Sequence, residues 1–208
     1  MPAICRVLLL YLNVDMPAPS ETEYNRSVAM AEAYYGLVPE IIKVVNKENP
    51  AVAQIYIAAM ELMEDGELAD DEREAVILAI SRYNDCHYCA RTHAALGYAA
   101  GLSKEDIEAI NRGHLPESER LKAVVQATRL ILDKSGWLDE EDLSQLNDRG
   151  ITRMHLYEIN ALISLKTLSN YINHVAQTKI DEGLDQLFPI MAEINQEGWA
   201  EAPDKTNV

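Results

Sequence analysis

The chain of 208 residues reads as a single-domain, all-α protein, and three observations carry that prediction. Helix-start signatures recur along it, Ser20-x-x-Glu23, Asn49-Pro50 and Ser103-x-x-Asp106 among them, and glycines stand where helices would close. Apolar residues repeat at helical intervals, and no convincing run alternates with the two-residue period of a strand. Composition agrees: 48% hydrophobic and 25% charged with only 9 glycines and 8 prolines, the profile of a domain that builds its core without staples.

Residues 1–19 read as an irregular N-terminal arm ending in the Met16-Pro17-Ala18-Pro19 breaker. Ser20 and Glu23 form a capping box for a helix reaching Gly36, a natural residue for the left-handed position after a helix. Pro39 starts a short helix through Lys47. Asn49 caps the next, with Pro50 at its first position, and that helix ends near Asp65-Gly66. Asp70 or Asp71 begins a helix whose Val76, Ile77 and Ile80 are spaced for burial and which stops at Tyr83-Asn84. Asp85 is then the expected N-cap of a helix ending at Gly101, so residues 68–102 form a helical hairpin. Ser103 caps a short helix to about Arg112, Pro116 begins one ending at Gly136, and residues 139–149 make another, closed by Gly150. Thr152 caps the longest element, in which Leu156, Ile159, Ile163, Ile172 and Val175 repeat at helical spacing. Residues 189–208 form a C-terminal tail that packs through Trp199 and then frays.

A formal charge of −16 argues against nucleic acid and against anionic membrane surfaces, both of which call for basic footprints. The apolar run from Val7 to Leu12 is too short to span a bilayer and lacks the charged flank of a signal peptide. Three cysteines cannot make a secreted disulfide framework, whereas two of them form a CxxC inside a helical pattern. The expected setting is therefore a reducing compartment, the cytoplasm, with one redox pair and Cys5 as an incidental residue.

The chemistry concentrates at Cys86-His87-Tyr88-Cys89 and His93. Their spacing puts Cys86, Cys89 and His93 along one helical stripe, with a disulfide reachable between the thiols. Helix N-termini favour a thiolate, which on this placement singles out Cys86 as the more acidic thiol. His93 is the candidate base, and Glu74 on the preceding helix can fold back to orient the imidazole. A zinc site through Cys86, Cys89 and His93 is the competing use, but structural zinc takes two separated ligand pairs and no second pair exists, so no metal is expected. His87 points away from Cys86, while His114 and His155 read as structural. His174 stands in a polar cluster with Asn170 and Asn173 on an otherwise apolar helix. Phosphate loops, a nucleophile elbow and a dinucleotide fingerprint are missing, so no cofactor is expected and electrons must come from an external dithiol.

The run from Glu74 through Cys86-His-Tyr-Cys89 to His93 resembles the signature of the AhpD-like alkylhydroperoxidase superfamily, which includes the carboxymuconolactone decarboxylases. That pattern has a Glu twelve residues before the first Cys, then CxxC, then a His four residues after the second, and all four positions match. Tyr35-Gly36-Leu37-Val38-Pro39 is similar to the peroxidase-related branch. The resemblance spans roughly Tyr34 to Leu102 and implies an all-helical fold, assembly as a trimer or hexamer, and dithiol peroxidase activity. It assigns attack on the hydroperoxide to Cys89, resolution to Cys86, and a proton relay to His93 and Glu74. It further implies a small hydroperoxide substrate and a lipoylated or thioredoxin-like protein as reductant. Tyr88 stands where the peroxidases often carry a His, and tyrosine is a poor base near neutral pH. The decarboxylase branch typically lacks the CxxC, so the thiols point away from lactone chemistry, and a decarboxylase-type enzyme is kept as one alternative. A non-catalytic redox sensor or binding module gated by the disulfide is the other.

Overall fold

The structure, a computed structural model, describes residues 20–182, and every regular element among them is helical. The N-terminal arm, Cys5 and the tail from Pro189 lie outside the described residues. The helices are α1 (Glu21–Tyr35), α2 (Glu40–Glu48), α3 (Pro50–Leu62), α4 (Asp70–Tyr83), α5 (His87–Ala100), α6 (Lys104–Asn111), α7 (Glu119–Asp133), α8 (Glu140–Asp148) and α9 (Arg153–Ala176). A short 3-10 turn, Met63–Asp65, follows α3.

Local chemistry sets most boundaries. The Ser20–Glu23 box closes as expected: the Glu23 amide donates to Ser20 Oγ and the Ser20 amide to the Glu23 carboxylate. Asn49 accepts from the Val52 amide ahead of Pro50, and Asp139 accepts from the Asp142 amide at 2.9 Å. Pro116 does not begin α7. The Glu117 amide donates to Asp106 at the start of α6, so the chain is still in the connection there, and Ser118 supplies the cap. His155 proves to be a capping residue, its Nδ1 accepting from the Thr152 amide at 3.1 Å.

Asp85 is the instructive boundary. It does not cap α5; it ends α4 in a left-handed conformation, φ +59°. The Asp85 amide donates to the Arg82 carbonyl and the Cys86 amide to the Ser81 carbonyl, the paired bonds of a Schellman motif. Aspartate tolerates this backbone better than most residues with a Cβ. Cys86 thereby becomes the extended N-cap of α5, outside the helix, and Cys89 lies within its first turn.

α4 is the hub, packed on α5, α6, α7 and α9. Residues 75–82 are buried without interruption, so this helix is covered on all sides. One core joins α1–α3 and α4 to α7 and α9 through Ile42, Ile57, Val76, Ile80, Val124 and Ile159. The second lies between α4, α5, α6 and α7 around Leu78, Ile107 and Val125. Each such side chain contributes about 1.5–3 kcal/mol on burial. Gly97 lets the α4–α5 hairpin close tightly, since a Cβ there would meet Leu102 at 2.8 Å and the Glu74 stem at 3.5 Å.

α9 buries a different stripe from the one its aliphatic residues suggest. Leu156 and Ile159 are inside, but Ile163 and Ile172 are only half-buried and Val175 is 88% exposed. The buried stripe instead runs through Leu162, Lys166, Asn170 and Asn173. Glu158 fastens α9 to the loop before α4 by accepting from the Glu67 and Leu68 amides at 2.7 and 3.2 Å. Gly66 leaves room for that carboxylate: a Cβ there would lie 2.1 Å from it and would displace it. Glu158→Ala leaves both amides without that acceptor and is expected to destabilise the fold by about 1–3 kcal/mol, read as a lower urea midpoint with unchanged slope.

Candidate thiol site

The Schellman turn and the first turn of α5 set the two sulfurs in different environments. Cys86 and Cys89 are free thiols, 1% and 2% exposed. The Cys86 S–H donates to Cys89, which together with burial pushes the Cys86 thiol up. That same hydrogen bond is the largest influence holding the Cys89 thiol well below its ordinary range. It is opposed by burial and helped by Lys166, then His93, and by the amide of Asn170. Asn173 Nδ2 adds a donor 3.1 Å from Cys89 Sγ and stands 4.0 Å from Cys86 Sγ. The expectation that Cys86 is the acidic thiol is corrected: as the N-cap of α5 Cys86 makes no side-chain capping bond, and the donors converge on Cys89 instead.

Glu74 and His93 meet as the sequence suggests, His93 Nδ1 lying 2.8 Å from Glu74 Oε2 across the α4–α5 hairpin. The other ring nitrogen does not face a sulfur. His93 Nε2 lies 2.8 Å from Lys166 Nζ, and Lys166 Nζ also donates to the Tyr56 hydroxyl at 2.9 Å. With the ammonium donating to Nε2, the ring proton sits on Nδ1 and is donated to Glu74. Lys166 is 1% exposed. Burial alone would depress its pKa, but Tyr56, Cys89 and Glu74 outweigh that and hold it above the ordinary lysine value.

Sequence reasoning missed Lys166 and Tyr56 and only half identified the polar cluster on α9. Asn170 and Asn173 are buried there, Asn170 Oδ1 accepting from Asn84 Nδ2 at 2.9 Å. His174 is exposed beside Tyr171, with ring centroids 6.0 Å apart, and takes no part. His87 is peripheral, 4.0 Å from Asp85 at the surface. Tyr88 is buried and donates to Asp181 Oδ2 at 2.6 Å, while Asp181 Oδ1 accepts from the Glu40 amide at the start of α2. Burial and that carboxylate push the phenol up. Tyr88 is thus a tether between α5, α2 and the segment after α9. Among the described residues no group of three or more His, Cys, Asp or Glu is arranged to hold a metal ion, and no helix is long and apolar enough to cross a membrane.

Residues 50–129, which carry Glu74, both thiols and His93, match the carboxymuconolactone decarboxylase family. The match spans less than half of the chain. The chain has the AhpD-like helical fold, as three solved structures show. A peroxidase-related protein from Ralstonia eutropha with an alkylhydroperoxidase AhpD core superposes with a TM-score of 0.69 at 20% identity, covering 81% of this chain and 93% of that one. A peroxidase-related protein from Silicibacter gives 0.65 at 17% identity, with 82% and 92% covered. The debrominase Bmp8, in complex with 2,3,4-tribromopyrrole, gives 0.64 at 15% identity, with 84% and 95% covered. No curated protein matches the sequence.

The unequal thiols make a direct expectation. In the reduced protein the ultraviolet thiolate band persists below the ordinary thiol pKa and disappears in Cys89→Ser. In Cys86→Ala the midpoint of that band moves up, because the S–H donor that holds Cys89 ionised is gone.

Proposed function

We propose that the protein is a dithiol peroxidase that reduces small hydroperoxides through Cys86 and Cys89. The observation that carries this reading is the asymmetry of the pair: Cys89 lies in the first turn of α5 with the Asn173 amide 3.1 Å from its sulfur and its thiol lowered, while Cys86 stands before the helix with its thiol raised. A peroxidatic thiol must be ionised, and its resolving partner must stay protonated until its turn. The Cys89 thiolate attacks the terminal oxygen of the hydroperoxide; the S–O bond forms, the O–O bond breaks, and the alkoxide leaves as the alcohol after taking a proton. Cys86 then attacks the sulfenic sulfur, forming the disulfide and releasing water. An external protein dithiol, lipoylated or thioredoxin-like, returns two electrons and two protons. Glu74 and His93 carry the protons in this scheme, supported by their 2.8 Å contact. The family match and the peroxidase-related neighbours support an enzyme of this general type.

Tyr88 takes no part as a base, since its hydroxyl is committed to Asp181. The reducing cytoplasm suits a CxxC that must be returned to its dithiol form after each turnover. Self-association, as a trimer or hexamer, is proposed with it: the outer side of α9 carries Met154, Tyr157, Leu168, Tyr171 and Val175 in the open, in phase along one seam of the helix whose intervening positions are the small Ala161 and Ser164. Sedimentation should give a multiple of the chain mass, and Leu168→Glu with Tyr171→Glu should lower it.

With excess dithiol, the purified protein is expected to consume many equivalents of an organic hydroperoxide. Cys89→Ser and Cys86→Ser should each abolish turnover, and His93→Gln should lower kcat/KM roughly 10²-fold. Consumption of one equivalent, leaving the disulfide behind, would instead mark a redox sensor. Full activity in Cys89→Ser would exclude the mechanism.

A further inference from the structure

His93 is placed as the base by the spacing of the motif, yet both its ring nitrogens are already engaged, one by Glu74 and one by Lys166. Lys166 is the unexplained group. It is an ammonium with almost no access to water, and among the described residues no carboxylate lies directly against it: its hydrogen-bond partners there are a phenol and an imidazole. A buried charge of this kind needs an opposite charge nearby. Two groups able to carry one stand by: the Glu74 carboxylate, 2.8 Å behind the His93 ring, and Cys89, whose sulfur lies 3.1 Å from Asn173 Nδ2 on the same buried stripe of α9 as Lys166. The same α9 stripe that carries Lys166 also brings Asn173, whose amide donates to Cys89, so that helix presents a positive, hydrogen-bond-donating wall to the sulfurs.

We propose that Lys166 is the counter-ion of the Cys89 thiolate, and that it sets the redox potential of the Cys86–Cys89 pair. In the dithiol state the proton that left Cys89 is matched by the ammonium charge. On oxidation two electrons and the remaining thiol proton leave the pair, the S–S bond forms, and the negative charge facing Lys166 is lost. Lys166 therefore stabilises the reduced form relative to the disulfide and makes the pair easier to reduce, as a buried cation beside a thiolate must. Besides the proton transfer proposed for them above, His93 and Glu74 stand behind the ammonium and orient it, His93 Nε2 lying 2.8 Å from Lys166 Nζ and Nδ1 2.8 Å from Glu74. The other titratable groups facing this pair are Cys86 and Tyr88 around the CxxC, Tyr56 on α3 and Tyr35 on α1. None of them supplies a second positive charge. The inference deepens the dithiol reading above and rests on its two thiols, but it involves no peroxide.

The test is a pair of peroxide-free measurements on wild type, Lys166→Met and Lys166→Arg. In Lys166→Met the thiolate band is expected to titrate at least tenfold less readily, a midpoint about one pH unit higher. Its dithiol–disulfide equilibrium with glutathione is expected to move at least tenfold toward the disulfide, a potential about 30 mV more negative. Lys166→Arg keeps the charge and should recover part of both shifts. A folded Lys166→Met protein with the wild-type midpoint and potential would overturn the proposal. Should that variant fail to fold, the wild type decides: linkage requires the Lys166 side chain, followed by NMR at Cε, to titrate at higher pH in the dithiol than in the disulfide form. Equal midpoints in the two forms would overturn the proposal equally. Shifted thiols without peroxide turnover would leave Lys166 in this role and remove only the peroxidase reading; turnover with unshifted thiols would do the reverse.

Discussion

An ammonium group stripped of water is the constraint around which this molecule is organised. Burying such an ion costs several kcal/mol unless neighbouring groups replace its hydration. Lys166 has its replacements on three other helices: the Tyr56 hydroxyl on α3, His93 on α5, and Glu74 on α4 behind the imidazole. Each stands at the correct depth only if α9 crosses the α4–α5 hairpin where it does. The packing of Ile159 and Leu162 into the main core sets that crossing, as do the Glu158 bonds to the loop before α4. Fold and site are therefore mutually dependent. The apolar half of α9 drives it into the core, and the polar half arrives with a charge that only this constellation can accommodate.

The thiol asymmetry has an equally local origin. A single left-handed residue, Asp85, ends one helix and leaves Cys86 extended before the next. Two cysteines separated by two residues then differ in kind: one lies outside the helix with its S–H free to donate, the other within the first turn among unpaired amides. Had α5 begun at Asp85, both sulfurs would have belonged to one helical turn and shared its field.

Much of this was legible from the sequence because the deciding interactions are short-range. Ser20, Asn49, Ser103 and Asp139 announce helix starts through bonds to residues three positions on. Glu74 and His93 could be paired because two helices joined by a tight turn must lie side by side. Asp85 misled for a physical reason: between two abutting helices the same residue can cap the second or close the first, and backbone geometry decides. Lys166 was illegible for another. Reading α9 by its aliphatic residues favoured Ile163, Ile172 and Val175, whereas the buried stripe changes character at Lys166 and continues through Asn170 and Asn173. The usable signal was a lysine in phase with Leu156, Ile159 and Leu162, where apolar periodicity predicts another aliphatic residue. The bond between Tyr88 and Asp181 left no local trace, since it joins residues distant in sequence through tertiary packing alone.

The site is thus assembled from two parts of unequal standing. The segment that matches the family, residues 50–129, supplies both sulfurs, the imidazole, the carboxylate and the phenol. The lysine and the asparagines come from α9, beyond its end. The hairpin holds the two sulfurs, and α9 is the wall that faces them. Substitutions along one stripe of one helix can alter the charge and hydrogen bonding felt by the sulfurs while the hairpin stays intact. The stretch by which likeness to a family is detected and the stripe that sets the surroundings of the sulfurs are thus different parts of one chain.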